Sequence, residues 1–415
     1  MRWTLLLICV VCVRPAAVVG QEAEIERLAM IWDQAPHNAF TDLTRFKGRW
    51  FCAFREGQGH VSHDGKVRIL VSDDGDEWQS AALLTSPGPL PDLRDAKLSV
   101  TPGNQLMAVA AAADRRDKPS KHQTYAWFSD DGMNWTDPTP IGEPDYWLWR
   151  VTWHKGKAYA VGYQTAGERH IRLYRSDDGR KFDVHVPRMF DEGYPNETSL
   201  WFDGDTALCL WHPDGNPNGA ILGRSKAPQT ELTWHDLGTR VGGPHMIRLS
   251  DGRFVVAGRR YDNGVRTALM WLEGALESDK PALREFIKLP SVGDTSYPGL
   301  VQYDGQLWFS YYASHEGKAK IYLARLRLAE SPKAGEPESR RSEPALAPPS
   351  FPTRPHLRFS GSPALRISPW PTSNISAPSA TAKRTTRRRS STPSRRAMAC
   401  SISRAATIAS HDRFR

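Results

Sequence analysis

The feature that most constrains this 415-residue chain is a hairpin that recurs six times. The segments AFTDLTRFKGRWFCAF, LRDAKLSVTPGNQLMAV, WLWRVTWHKGKAYAVGY, PNETSLWFDGDTALCLW, GPHMIRLSDGRFVVAG and SYPGLVQYDGQLWFSYY share one layout. Each has a polar or aromatic start, a short apolar strand, a tight glycine turn and a second strand. The turn glycines Gly48, Gly103, Gly156, Gly204, Gly252 and Gly305 are 55, 53, 48, 48 and 53 residues apart. Glycine supplies the positive φ that a twisted hairpin demands, so each segment reads as two antiparallel strands. A repeat of this length cannot bury its apolar faces alone; stacked around a ring, it can. The reading is therefore all-β: a six-bladed β-propeller of four-stranded antiparallel blades within residues 21–330. IERLAMIW, near the start, can add the last strand to the sixth blade and so remove the free sheet edge.

A second repeat lies in the outer part of three of these units: SDDGDEW at Ser72–Trp78, SDDGMNW at Ser129–Trp135 and SDDGRKF at Ser176–Phe182. Each follows an apolar strand. The aspartates can accept backbone amides within the turn while the aromatic ring packs beneath it. Calcium loops place carboxylates at alternate positions and add a distal Glu, which these turns lack, so they read as structural staples.

These turns resemble the Asp boxes (BNR repeats) of the sialidase, or neuraminidase, superfamily, and the likeness covers about three quarters of the chain. It implies an exo-glycoside hydrolase that retains configuration through a tyrosine nucleophile, needs no cofactor and acts on a terminal, sialic-acid-like acidic sugar of a glycoconjugate or polysaccharide. TSYPGLVQYDGQLWFSYY resembles the strand that carries that nucleophile, here Tyr297, and PNETSLWFDGDTALCLW the strand that presents its base, here Glu197. A phenol needs such a carboxylate to take its proton. Arg266, 31 residues before Tyr297, matches one arginine of the family's carboxylate-binding triad. The other two depart: Phe40-Thr41-Asp42-Leu43 stands where the family has Tyr/Phe-Arg-Ile-Pro, and Trp211-His212 where a second arginine is expected. Three arginine forks grip a planar carboxylate, so either Arg94, Arg150, Arg259 or Arg260 compensates or the sugar is not a sialic acid. The family's acid is an Asp on a loop of the first blade, which makes Asp64 the candidate, with Asp95, expected to face the channel from the start of the second unit, as the fallback.

The first strand of every blade lines a propeller's channel, so residues at the strand starts converge there. By blade these are Asp42, Arg94 with Asp95, Arg150, Glu197, His245 and Tyr297, a ring able to supply acids, a base, cations and a phenol. Arg266, Arg150 and Arg94, with Asp42 and His245, are the expected substrate-binding groups. Tyr146, Trp147, Trp149 and Trp153 crowd the third start, as a sugar platform or as core. His60, His63, Glu56 and Asp64 lack a recognised ligand spacing, and no metal is expected. A carbohydrate-binding propeller without catalysis, and a hydrolase or lyase acting on another polysaccharide, remain the rival functions.

The charge excludes a nucleic-acid partner once it is located. The chain is +9 overall, but residues 331–415 alone carry +12, with 12 Pro and 16 Ser, so the remainder is mildly acidic. That tail lacks apolar periodicity and reads as disordered. Residues 1–20 place Arg2 before the run Leu5–Val13 and small residues after it, the pattern of a secretory signal, too short for a membrane span. The expected location is secreted or periplasmic. Cys52 and Cys209 are then too few for a disulfide scaffold, and stability must come from the core.

Overall fold

The computed structural model describes residues 22–330 except 117–119 and 216–218. The predicted signal and basic tail lie outside the described residues. The described residues form 24 strands in six four-stranded antiparallel sheets. Blade I is β2 (His37–Phe46), β3 (Arg49–Gly57), β4 (Lys66–Ser72) and β5 (Gln79–Leu84); blade II is β6 (Asp92–Val100), β7 (Leu106–Asp114), β8 (Lys121–Ser129) and β9 (Thr139–Ile141). Blade III is β10 (Tyr146–His154), β11 (Lys157–Gln164), β12 (Ile171–Ser176) and β13 (Asp183–Phe190); blade IV is β14 (Pro195–Asp203), β15 (Thr206–Pro213), β16 (Ile221–Lys226) and β17 (Thr233–Asp236). Blade V is β18 (Val241–Arg248), β19 (Phe254–Arg260), β20 (Arg266–Glu273) and β21 (Ala282–Lys288). Blade VI takes β22 (Thr295–Tyr303), β23 (Gln306–Ala313) and β24 (Lys320–Leu328), and β1 (Ala23–Trp32) pairs with β24 to complete it, as IERLAMIW predicts.

Sheets in a ring are covered on both faces, which is why the middle strands are apolar at consecutive positions rather than alternate ones. In β7 the run Ala110–Ala113 is at most 2% exposed, and residues this small let blade II sit close to its neighbours. Phe51, Ile69, Leu93, Leu98 and Ala108 form one such layer between blades I and II. Cys52 and Cys209 are buried free thiols, so no disulfide braces the described residues.

The three SDDG turns are built alike. Ser72 Oγ, Ser129 Oγ and Ser176 Oγ accept the amides of Gly75, Gly132 and Gly179 at 2.7–2.8 Å. Asp74, Asp131 and Asp178 each accept two further amides of their own turn. The hairpin turns follow expectation at five glycines; in the second, Asn104 (φ 58°) takes the left-handed conformation in place of Gly103.

One irregularity repeats in all six blades. Where the first strand pairs with the second, the register slips so that two residues face one. The bulged pairs are Phe40-Thr41, Asp95-Ala96, Trp149-Arg150, Asn196-Glu197, Gly243-Pro244 and Tyr297-Pro298. A bulge bends its strand and re-aims a side chain. Phe40 (φ 63°), Asp95 (φ 59°) and Tyr297 (φ 49°) are left-handed without being glycine. A ring-bearing residue in that conformation is strained, and such strain is held where the fold needs a side chain in one place.

Candidate active site

Two of the bulges bring Tyr297 and Glu197 together from blades VI and IV. The Tyr297 hydroxyl donates to Glu197 Oε1 at 2.5 Å. The other carboxylate oxygen, Oε2, lies 2.6 Å from His212 Nδ1, and His212 Nε2 lies 3.2 Å from Asp214 Oδ1. Asp214 also accepts from Asn196 Nδ2 at 2.6 Å and from Arg240 at 3.2 Å. The charges in this buried line set one another. Burial opposes a charged His212, but the Asp214 and Glu197 carboxylates at its two nitrogens prevail and raise its pKa to about 9. Burial likewise pushes Glu197 up, and His212 more than reverses it, leaving the carboxyl below its usual range. Hydrogen bonding to His212 lowers Asp214 to about 2. Tyr297 is driven well above an ordinary phenol, first by burial and then by the Glu197 charge. At neutral pH the site therefore holds a phenol on a carboxylate that is itself backed by an imidazolium.

Arg259 covers the other side of Tyr297, its guanidinium 5.2 Å from the ring centre. Its Nε donates to Thr295 O at 2.8 Å, and one Nη reaches Tyr312 Oη at 2.8 Å and Asp294 Oδ1 at 3.2 Å. Asp294 also accepts the Tyr312 hydroxyl at 2.6 Å, and its Oδ2 meets both His37 Nε2 and His60 Nδ1 at 2.8 Å. The ligand atoms of His37, His60 and Asp294 lie within 4.8 Å of one another, a two-histidine, one-carboxylate set. Each imidazole directs one nitrogen at Asp294 and the Arg259 cation sits on that same carboxylate, while His37 Nδ1 is buried with no partner among the described residues.

The remaining strand-start residues divide. Asp95 reaches the channel with Oδ2 3.3 Å from Arg94 Nε and with a buried Oδ1 that has no partner among the described residues. Arg94 lies over the Phe40 ring at 4.6 Å and also pairs with Asp92. Asp42 and Arg150 bind each other through two 3.0 Å contacts in the channel wall, and His245 Nδ1 accepts the Leu300 amide at 3.1 Å. Arg266 is turned outward onto Glu285, 2.6 Å away on the outermost strand of its blade, so the arginine that faces Tyr297 is Arg259. Asp64 is exposed and accepts the Gln58 amide at 3.2 Å. Burial would raise its pKa, yet hydrogen bonds from Ser62 and Gln58 leave it lowered. Trp147 stacks on Tyr163 at 5.8 Å and Trp149 meets the Tyr297 ring at 5.6 Å; both are buried, so they support the site rather than form an open platform.

No protein-family model and no curated protein matches this chain. Solved structures do. A protein of unknown function from Dyadobacter fermentans is 20% identical with a TM-score of 0.64, over 74% of this chain and all of that one. An α-L-arabinanase of Penicillium chrysogenum complexed with arabinobiose is 12% identical with a TM-score of 0.56, over 72% and 98%. The sialidase of Trypanosoma rangeli is 10% identical with a TM-score of 0.54, over 70% of this chain and 55% of the sialidase in its complex with the inhibitor DANA. This chain has the six-bladed propeller fold of the sialidases. The same fold carries the arabinanase, so it leaves the sugar open.

Within that sialidase fold, reading the first strands alone misses half of the site. An antiparallel hairpin sets the end of its second strand beside the start of its first, and those ends supply Tyr163, His212, Arg259 and Tyr312. The signal was present as polar residues closing otherwise apolar second strands. Asp294, three positions before Tyr297, and Asp214, two after His212, carried no signal beyond proximity.

Proposed function

We propose that this chain is a retaining glycoside hydrolase with Tyr297 as nucleophile and Glu197 as its base. The observation that carries the reading is the 2.5 Å bond from the Tyr297 hydroxyl to Glu197 Oε1 inside a ring of inward-aimed side chains. Tyr297 Oη attacks the anomeric carbon as its proton passes to Glu197 Oε1, and the glycosidic C–O bond breaks with the departing oxygen taking a proton from an acid. Water then attacks the same carbon and gives up a proton to the conjugate base of that acid, the carbon–Tyr297 bond breaks, and Glu197 returns its proton to the phenolate. His212 holds Glu197 charged before the first attack and turns Oε1 toward the phenol.

The sugar we propose is one recognised through hydroxyls rather than through a carboxylate. Arg150 is spent on Asp42, Arg260 on Asp262, Arg266 on Glu285 and Arg94 on Asp92 and Asp95. Arg259 is anchored at Nε and at one Nη, so no free fork stands opposite Tyr297 to grip a planar carboxylate. Neutral glycosides such as arabinofuranosides are the first substrates to try. The pattern of residues 1–20 supports action outside the cytoplasm.

The test is hydrolysis of aryl glycosides, arabinofuranosides and sialosides included, by the wild type and Tyr297→Phe. Turnover of a neutral glycoside that vanishes in the variant while its melting temperature stays is the expected result. Undiminished turnover in Tyr297→Phe would remove the nucleophile assignment, and efficient release from the sialoside alone would remove the neutral-sugar assignment.

A further inference from the structure

We infer that His60, held by Asp294, is the group that protonates the leaving oxygen and later deprotonates the attacking water. The inference rests on the hydrolase reading above and names the acid/base that reading leaves unassigned.

The geometry is that of a carboxylate-oriented imidazole. His60 Nδ1 lies 2.8 Å from Asp294 Oδ2, which fixes the ring and leaves Nε2 as the working nitrogen. Among the described residues no hydrogen bond engages Nε2, and the His60 side chain is 46% exposed, so that nitrogen is free to meet a substrate. Asp294 is fixed in turn by His37 at 2.8 Å, the Tyr312 hydroxyl at 2.6 Å and Arg259 at 3.2 Å. The loop that carries His60 is pinned from below. Arg55, wholly buried, donates to Gly59 O and Ser62 Oγ, each at 2.8 Å, while its Nε is held by Asp92 at 2.7 Å.

Placement relative to the nucleophile fits the role. His60 and Tyr297 flank the same Phe40 ring, each 5.1 Å from its centre. Tyr297 is the less exposed of the two. A sugar seated on Tyr297 would direct its leaving group outward, past Phe40 and toward His60. Asp95, the competing acid, is buried and ion-paired with Arg94.

The proton account closes. In the first step the His60 Nε2 proton goes to the departing glycosidic oxygen as Tyr297 Oη bonds the anomeric carbon and Glu197 takes the phenol proton. In the second, Nε2 takes a proton from the attacking water while the Tyr297–carbon bond breaks, and Glu197 returns its proton to the phenolate. Asp294 keeps Nδ1 in place throughout.

The experiment compares His60→Gln with the wild type on two glycosides of one sugar, a dinitrophenyl glycoside that leaves unaided and an alkyl glycoside that needs a proton. General acid catalysis contributes on the order of 10²- to 10⁴-fold, so the alkyl glycoside should lose about that much in kcat/KM and the dinitrophenyl glycoside little. Added azide, a nucleophile with no proton to lose, should speed the variant's second step and yield a glycosyl azide. A loss equal for both leaving groups, or the selective loss and azide product appearing in Asp95→Asn and not in His60→Gln, would overturn the assignment. Loss of wild-type activity on chelation would do so as well, by making His37, His60 and Asp294 a metal site. Tyr297→Phe is run alongside: full activity there fails the hydrolase mechanism itself, whereas a dead Tyr297→Phe with leaving-group-independent His60→Gln fails only this inference.

Discussion

Arg150 and Asp42, 108 residues apart in sequence, close a two-armed ion pair in the channel wall, with Nη1 on Oδ2 and Nη2 on Oδ1 at 3.0 Å each. Asp42 is wholly buried, and the same Oδ2 accepts the Leu98 amide at 2.7 Å, so one carboxylate ties blades I, II and III together. Strand-start position alone marks both as substrate groups, yet the two pair with each other through both Nη atoms and both Oδ atoms.

Arg150→Ala should therefore act on stability. Breaking a buried pair by removing one partner costs roughly 3–5 kcal/mol because the remaining charge stays buried. The expected outcome is a drop in denaturant midpoint, with Asp42→Leu/Arg150→Met recovering most of it. An unchanged midpoint together with a raised KM would instead restore a substrate role.

The His212 line predicts a pH window. His212 is raised in the fold to about 9, so its contribution is complete below the ordinary histidine pKa near ~6.5 and is lost as pH rises through about 9. Asp214 is lowered to about 2, so its contribution is present above the ordinary carboxyl value and is lost as pH falls through about 2. The contribution of this line should be greatest on the acid side of about pH 6.5, decline from there through the neutral range and level off above about 9. Thermal melting of the wild type and His212→Gln from pH 6 to 10 checks this, and the variant should start lower and show less of this decline. Parallel curves would show that His212 does not carry the charge.

How much of this was legible follows from what a period can encode. The six glycine-centred hairpins, the closing strand and the SDDG staples are local patterns repeated in register, and each lies where the repeat puts it. That Tyr297 and Glu197 would meet was legible because both stand at strand starts of the repeat and their segments resemble the sialidase strands that carry the nucleophile and its base. The exchange of Arg266 for Arg259 was not. Both arginines flank the turn between β19 and β20, and only pairing shows that Arg259 stands opposite Gly242 on the channel strand while Arg266 faces Glu285. The bulges were also hidden, since a two-against-one register is a property of two strands together.

Gly243 is the bulge residue beside Tyr297, and it has φ 55°. A Cβ there would lie 2.9 Å from Cγ and Cδ1 of the Tyr297 ring, closer than such atoms approach. Gly243→Ala must therefore displace the phenol, strain its own backbone, or both. The expected result is a fall in kcat of about 10²-fold or more from misplacement of the nucleophile, with a stability loss of about 1–2 kcal/mol. Wild-type kcat in this variant would mean that Tyr297 tolerates displacement and is not the attacking group.

Ring closure makes the last prediction. β1 runs antiparallel to β24 with Ala23 opposite Leu328, and the Ala329 amide donates to Glu22 O at 2.8 Å, so the two chain segments end as the arms of an open hairpin. Glu22 adds a two-armed contact to Arg284 of blade V. Deleting residues 22–34 would bare the whole of β24 as an apolar sheet edge, and the expected product is aggregated. Joining Glu330 to Glu22 through a short Asn-Gly turn and opening the chain before His37 keeps every pairing while moving β1 to the end. That permutant should elute as the wild type does on size exclusion and melt within a few degrees of it, because closure depends on the strand being present and not on the order of synthesis. If the permutant aggregates like the deletion, β1 must do more than complete the sixth sheet.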